Sequence, residues 1–355
     1  MSFKKLVRVR GTLFALTLAV VATAVSIVAS TVASAGPSYD QSRQELESVL
    51  ADLIAWLPGG WDSYPQVHFE RRYRVPVEGE HEHWHHIFQR IDAPQIGEVV
   101  FYGQINAGGR DAPMMHRTQI LYKVWIDEQR GAVVINGQGP ADPEKYVDLH
   151  ERPELWKDVK WRDADGIHCD FLWRRSGEQI VGVLDGKVAS GRDAGPGTCT
   201  YMVNNTDVKF LADAEWVLGP DVLWDYDINL MAGQQFVGRK DRTHIRMYRA
   251  RGYDCRIEDA KGMRTWKAYD RGAKTMVTAK DGRALQLMLL RAPMPDRNGH
   301  GMYDRLRLLV QKPNEDAPIA EIEAAPRAAS IETRFEGVSA SCALVDTLPP
   351  MHVAR

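Results

Sequence analysis

The chain reads as mostly β: an antiparallel barrel or sandwich behind a single helix, followed by a smaller β-region. Three observations predict this. Short apolar and β-branched runs recur from His83 onward, each bounded by turn residues. One amphipathic stripe of helical period stands before them. No fixed-period repeat and no nucleotide-binding strand–turn–helix series interrupts the 355 residues.

The first segment has the pattern of an export signal. Lys4, Lys5, Arg8 and Arg10 precede an apolar run from Leu13 to Ala29, and Ala33-Ser34-Ala35 supplies a cleavage site before Gly36. An uncleaved membrane anchor is the alternative, since the run approaches the roughly 20 residues that span a bilayer. Small and hydroxylated residues dilute the run towards its end. That favours cleavage and a periplasmic or secreted protein, with the membrane engaged only through an uncleaved signal. Residues 1–35 hold four basic and no acidic side chains, so 41 of the 45 Lys and Arg remain against 47 Asp and Glu. The resulting net charge of −6 argues against nucleic acid as a partner, because phosphate binding needs a positive field.

Ser42 and Glu45 form a capping box, S-x-x-E, at a helix start. Leu46, Val49, Leu50, Leu53, Ile54 and Leu57 follow as one stripe, and Pro58-Gly59-Gly60 stops the helix. Such a helix packs over one end of a barrel. Strands are predicted over 120–126 and 132–136, split by the hairpin signal Asp127 to Gly131, and over 169–174 and 179–184 around Ser176-Gly177. Further strands are predicted over 200–203, 208–218 and 244–249, while 140–161 reads as a polar loop with short helical turns. Beyond Arg251, runs at 263–269, 274–279, 284–290, 305–311 and 331–335 give a small C-terminal β-domain or extra strands on the barrel. The end, 346–355, reads as a mobile tail.

Four cysteines remain: Cys169, Cys199, Cys255 and Cys342. An even count in an exported chain fits disulfides, and four cysteines allow three connectivities. Pairing Cys169 with Cys199 and Cys255 with Cys342 keeps each bridge within one region; a free thiol is the alternative. C-x-x-C spacing is absent, which sets aside a zinc ribbon or a thioredoxin-like site.

Four blocks, taken in order, carry a family resemblance. They are Ala51 to Gln66 (ADLIAWLPGGWDSYPQ), Val99 to Gln104 (VVFYGQ), Met115 to Leu121 (MHRTQIL) and the Cys169 to Cys199 segment. Over roughly residues 53–249 the chain resembles the CpcT/CpeT family of phycobiliprotein chromophore lyases. The resemblance implies a calycin-like β-barrel over 36–252, with 253–345 as the C-terminal β-region. It also implies a bilin or similar tetrapyrrole as ligand, and a chromophore-accepting protein whose Cys receives it. In the family an acidic-Gln pair precedes a Pro-Tyr-Arg-x-Arg block. Gln104 and Arg117 match these, Gly103 stands where the acid falls, and Gln119 replaces the second Arg. By resemblance, Tyr102, Gln104, Arg117, Gln119, Trp173 and Asp225 are the ligand-binding candidates, with Tyr102, Gln104 and Arg117 expected to point into the barrel. A protonated carboxyl there would give its proton to a pyrrole nitrogen, and guanidiniums would hold propionates in bidentate pairs. The alternative is an exported lipocalin-like carrier of an apolar ligand with no catalytic activity.

Two readings stand apart from the resemblance. Trp56, Trp61, Tyr102, Tyr122, Trp125, Trp173, Trp216 and Trp224 fall in the barrel region; such rings line pockets for flat ligands and equally fill ordinary cores. His81, His83 and His85 would share one face of a strand and could bind zinc, copper or nickel. The alternative is a polar loop and strand edge, and H-E-x-x-H spacing is absent.

Overall fold

A helix closes one end of the barrel, and its own sequence sets both of its limits. α1 (Arg43–Trp56) starts at Ser42, whose side chain and that of Glu45 make the reciprocal capping box expected from S-x-x-E. Its stripe of Leu46, Val49 and Leu53 is buried. At its C-terminal end Arg249 donates to the carbonyls of Trp56 and Pro58, groups that no helical N–H can reach. The same guanidinium lies 4.4 Å from the centre of the Trp61 ring. In this computed structural model the described residues are 42–110, 117–162, 170–185, 198–202, 209–231, 234–237, 243–295, 301–313, 315 and 317–345. The export signal, Cys169 and the tail 346–355 lie outside them, as do the side chains of Arg117 and Cys199. No described helix is long and apolar enough to cross a membrane.

The chain then runs through β1 (Gly59–Asp62), α2 (Tyr64–Arg72), β2 (Trp84–Ile91), β3 (Val99–Ala107), β4 (Arg117–Asp127), β5 (Ala132–Gln138), β6 (Asp170–Ser176) and β7 (Gln179–Leu184). It continues through β8 (Thr198–Met202), β9 (Lys209–Leu218), β10 (Val222–Met231), β11 (Gln234–Val237) and β12 (Ile245–Arg249). Ten of these strands close on themselves in the order β1-β2-β3-β4-β5-β6-β7-β9-β10-β12, with β12 returning to β1. Every pairing is antiparallel, which makes this the calycin-like barrel expected. β9 and β10 are longer than the barrel needs. Their outer halves pair with β8 and β11 and carry the sheet beyond the barrel end opposite α1.

Two glycine devices shape the interior. Tyr122 lies between Gly137, its cross-strand partner on β5, and Gly103, diagonal to it on β3. A Cβ on Gly103 would stand 2.5 Å from the Tyr122 ring, and one on Gly137 3.0 Å. Trp173 likewise covers its partner Gly182, where a Cβ would stand 2.4 Å from the indole. Each large ring therefore lies flat across a neighbouring strand that has no side chain there.

Behind the barrel come β13 (Gly252–Asp259), β14 (Gly262–Tyr269), β15 (Arg271–Thr278), β16 (Ala284–Pro295), β17 (Met302–Gln311), β18 (Pro318–Ala324), β19 (Ser330–Phe335) and β20 (Val338–Val345). They form two four-stranded sheets, β14-β13-β20-β19 and β15-β16-β17-β18. Tyr253, Ile257, Leu287, Leu289, Leu308 and Val310 fill the core between them. The other face of β16 packs Met288 and Leu290 against Tyr64 of α2. A strand covered on both sides explains the unbroken apolar run Leu287 to Leu290. Cys255 and Cys342, opposite each other on β13 and β20, form a disulfide.

Candidate functional site

Strand alternation sorts the barrel's buried side chains into two sets. Phe88, Phe101, Tyr122, Trp173, Trp216, Leu223 and Ile245 join Val49 and Leu53 of α1, and Leu57 just after it, in one inner core. Val100, Tyr102 and Leu121, on the opposite faces of β3 and β4, join Tyr146, Leu149 and Val159 in an outer core. That outer core lies beneath the 140–162 connection, whose short 3-10 helices at Leu149–Glu151 and Pro153–Asp158 are the expected helical turns.

The structure divides the sequence-selected residues between these faces. Tyr102 and Gln104 share a face, as alternation requires, but it is the outer one. Tyr102 Oη donates to Gln104 Oε1 at 2.6 Å and is 3.1 Å from the Tyr146 carbonyl. Gln104 Nε2 donates to Asp148 Oδ1 at 2.8 Å, and the Asp148 N–H returns a bond to Gln104 Oε1 at 2.9 Å. Asp148 holds φ at 55°, a left-handed conformation rare outside glycine, within this latch. Gln119 pairs with Gln104 in register and is buried on the same outer side. Arg117 pairs with Asn106 through the backbone. The inward placement expected of Tyr102 and Gln104 therefore does not occur. Both faces of β3 are covered, and the 140–162 connection claims the polar one.

Trp173 and Asp225 lie on the inner face, where Trp216 is the centre. Its ring centroid is 5.8 Å from Phe88, 6.3 Å from Tyr122, 5.4 Å from Phe171, 6.3 Å from Trp173 and 6.4 Å from His86. Asp225 opposes Trp216 in register and accepts a hydrogen bond from its indole. Its Oδ1 is buried with no hydrogen-bond partner among the described residues. Burial, and then the charge of Asp227 on the same face of the strand, push the Asp225 carboxyl well above the usual carboxylate range. Burial, with Asp225 and Asp227, also raises the Tyr122 phenol. His86 is buried too; neither ring nitrogen has a partner among the described residues, and burial pushes its imidazole down to about 3.

The inner site is thus an aromatic cage holding a carboxyl that resists ionisation and an imidazole that resists protonation. Both can exchange hydrogen bonds, and the carboxyl can exchange a proton, with a flat ligand bearing N–H and C=O groups. His86 was not among the sequence-selected residues. The sequence pattern singles out the face shared by His81, His83 and His85, and His86 is on the other.

The three histidines of that face do not converge. His81 Nδ1 is 2.5 Å from Glu70 Oε1, and its Nε2 is 3.0 Å from Thr243 Oγ1. His83 Nε2 and His85 Nδ1 lie 2.9 and 2.8 Å from the two oxygens of Asp62. Strand β2 begins only at Trp84, so His81 is not on it, and the rings are split between two carboxylates. Among the described residues no group of three or more His, Cys, Asp or Glu is arranged to hold a metal.

No protein-family profile matches this chain. No curated protein matches it at a significant level. Among solved structures, one described as the selenomethionine CRL protein of Arabidopsis aligns with 57% of this chain and 97% of its own, at 11% identity and a TM-score of 0.40.

Proposed function

We propose that this protein is an exported binding protein that holds a flat, conjugated ligand with N–H groups inside its barrel, a linear tetrapyrrole being the class that fits. The observation that carries this is the Asp225 carboxyl, buried against Trp216 with one oxygen unsatisfied among the described residues. A bilin presents pyrrole N–H groups along one edge and lactam carbonyls at its ends, and Asp225 and His86 complement both. In the CpcT/CpeT resemblance an acidic residue occupies position 103. Here Tyr122 fills the space a side chain at 103 would need, and Asp225 offers a carboxyl to the same interior from another strand.

A carrier is favoured over a lyase by the Cys255–Cys342 disulfide, a bond of oxidising compartments. The lyase reading requires an acceptor protein presenting a free thiol. Mixing the purified protein with biliverdin tests the proposal. The expected result is a shifted visible band with induced circular dichroism, a Kd below about 10 μM, and about tenfold weaker binding in Asp225→Asn. An unchanged spectrum, or equal affinity in that variant, overturns it. Covalent transfer of bound pigment to an added thiol-bearing acceptor would restore the lyase reading.

A further inference from the structure

A pocket lies on the outer face of β10 and β12, away from the barrel interior. Trp224 and Arg246 are direct cross-strand partners on these strands, and Tyr248 stands two residues along β12 from Arg246. Alternation turns all three outward, because Leu223, Ile245 and Met247 belong to the inner core. α2 crosses this face and is fastened to it: Gln66 Oε1 accepts the Arg246 backbone N–H at 2.8 Å. Phe69, three residues further along α2, lines the same pocket, and Pro293 of β16 and Met302 of β17 complete it. The space is about 560 Å³, within the roughly 300–1,000 Å³ of small-molecule sites, and its aromatic lining with a few polar groups is of the same kind.

The ionisable groups of this pocket are not equally engaged. Glu70 is held by His81, whose backbone N–H and Nδ1 reach its two oxygens at 2.7 and 2.5 Å. His81 Nε2 is turned to Thr243, and His244 Nε2 to Glu215. Arg246 differs from these. Its guanidinium makes no hydrogen bond and no ion pair among the described residues, and it lies over Trp224, 5.1 Å from the ring centre. That contact holds the cation in place without using its planar fork of N–H donors.

We propose that this pocket binds a small planar aromatic carboxylate, its ring against Trp224, Phe69 and Tyr248 and its carboxylate paired with Arg246. A guanidinium fork matches a carboxylate with two parallel bonds, and such charge-assisted bonds are about twice as strong as neutral ones. Flat rings gain both buried area and ring–ring contact against aromatic walls. The site is distinct from the barrel interior, since Trp224 and Asp225 are neighbours on β10 and point to opposite faces.

Calorimetric titration of the whole protein with cinnamate tests this. Saturable binding is expected, with a Kd below about 1 mM. Cinnamamide, which keeps the shape and lacks the charge, should bind about tenfold more weakly. Arg246→Gln changes an exposed side chain and should weaken cinnamate binding about tenfold, whereas Arg246→Lys, which keeps the charge, should weaken it less. Asp225→Asn should leave cinnamate binding unchanged, which separates this pocket from the barrel interior. No saturable heat up to about 10 mM cinnamate overturns the proposal. So does cinnamamide binding as tightly as cinnamate, undiminished binding in Arg246→Gln, or loss of binding in Asp225→Asn.

Discussion

Two polar clusters in the barrel wall, one on each face, are buried in opposite ways. On the outer face Tyr102, Gln104, Asp148 and the Tyr146 carbonyl satisfy one another in a ring of short hydrogen bonds. On the inner face Asp225 keeps an unsatisfied oxygen and His86 two unsatisfied nitrogens among the described residues. A satisfied network fixes a structure. Buried polar atoms left without protein partners cost stability, by about 1–3 kcal/mol each, and persist where something else uses them. The difference teaches that the polar residues most visible in the sequence hold the barrel's cover in place, and that the inner pair is the candidate for chemistry.

The largest effect should come from the inner aromatic cage itself. Trp216→Ala removes the ring on which five others pack and should lower the unfolding free energy by about 3–5 kcal/mol, read by urea denaturation. A loss under about 1 kcal/mol would mean that the cage is loosely packed and the two faces are not as different as described.

On the outer face, Gln104→Leu leaves Asp148 and Tyr102 without their shared partner and should cost about 1–3 kcal/mol. Hydrogen exchange should show the loosening confined to residues 140–162. Exchange spread evenly over the barrel would break the assignment of this network to the cover.

The inner pair should reveal itself through pH. The Asp225 carboxyl is raised in the folded protein, so between the unfolded value near 3.8 and its folded value the native state holds the extra proton. Its favourable contribution is complete below that window and is lost as pH rises through it. Asp225→Asn should therefore be more stable than the parent at neutral pH, with the advantage vanishing below about pH 4. His86 acts with the opposite sign. It stays neutral in the fold down to about 3, so the unfolded chain gains the proton first and stability falls as pH drops from 6.5 towards 3. His86→Phe should flatten that limb by up to about 1.4 kcal/mol per pH unit. Unfolding curves for both variants across pH 3–8 check these signs; parallel curves would show that neither group is buried as described.

Much of the architecture was legible, for particular reasons. The capping box at Ser42 and Glu45 and the hairpin at Asp127 to Gly131 are short-range signals, and both form as read. The Cys255–Cys342 pairing followed from keeping bridges local, and it forms. β1 was hidden because Gly59-Gly60-Trp61-Asp62 carries turn chemistry, and only its pairing with β2 and β12 makes it a strand. β10 was hidden by the feature that gives it interest. Its inward positions alternate Leu223, Asp225 and Asp227, and carboxylates on a buried face erase the apolar period. The facing of Tyr102 and Gln104 could not be read either, because β3 is buried on both sides and alternation alone does not say which side is the barrel.

The most direct test of this account is a paired melting experiment with and without biliverdin on Asp225→Asn and Gln104→Leu. Asp225→Asn should melt no lower than the parent and lose the ligand-induced rise in Tm. Gln104→Leu should melt lower and keep that rise in full. The reverse pattern, with the ligand effect lost in Gln104→Leu and kept in Asp225→Asn, would place binding under the outer cover and contradict the account.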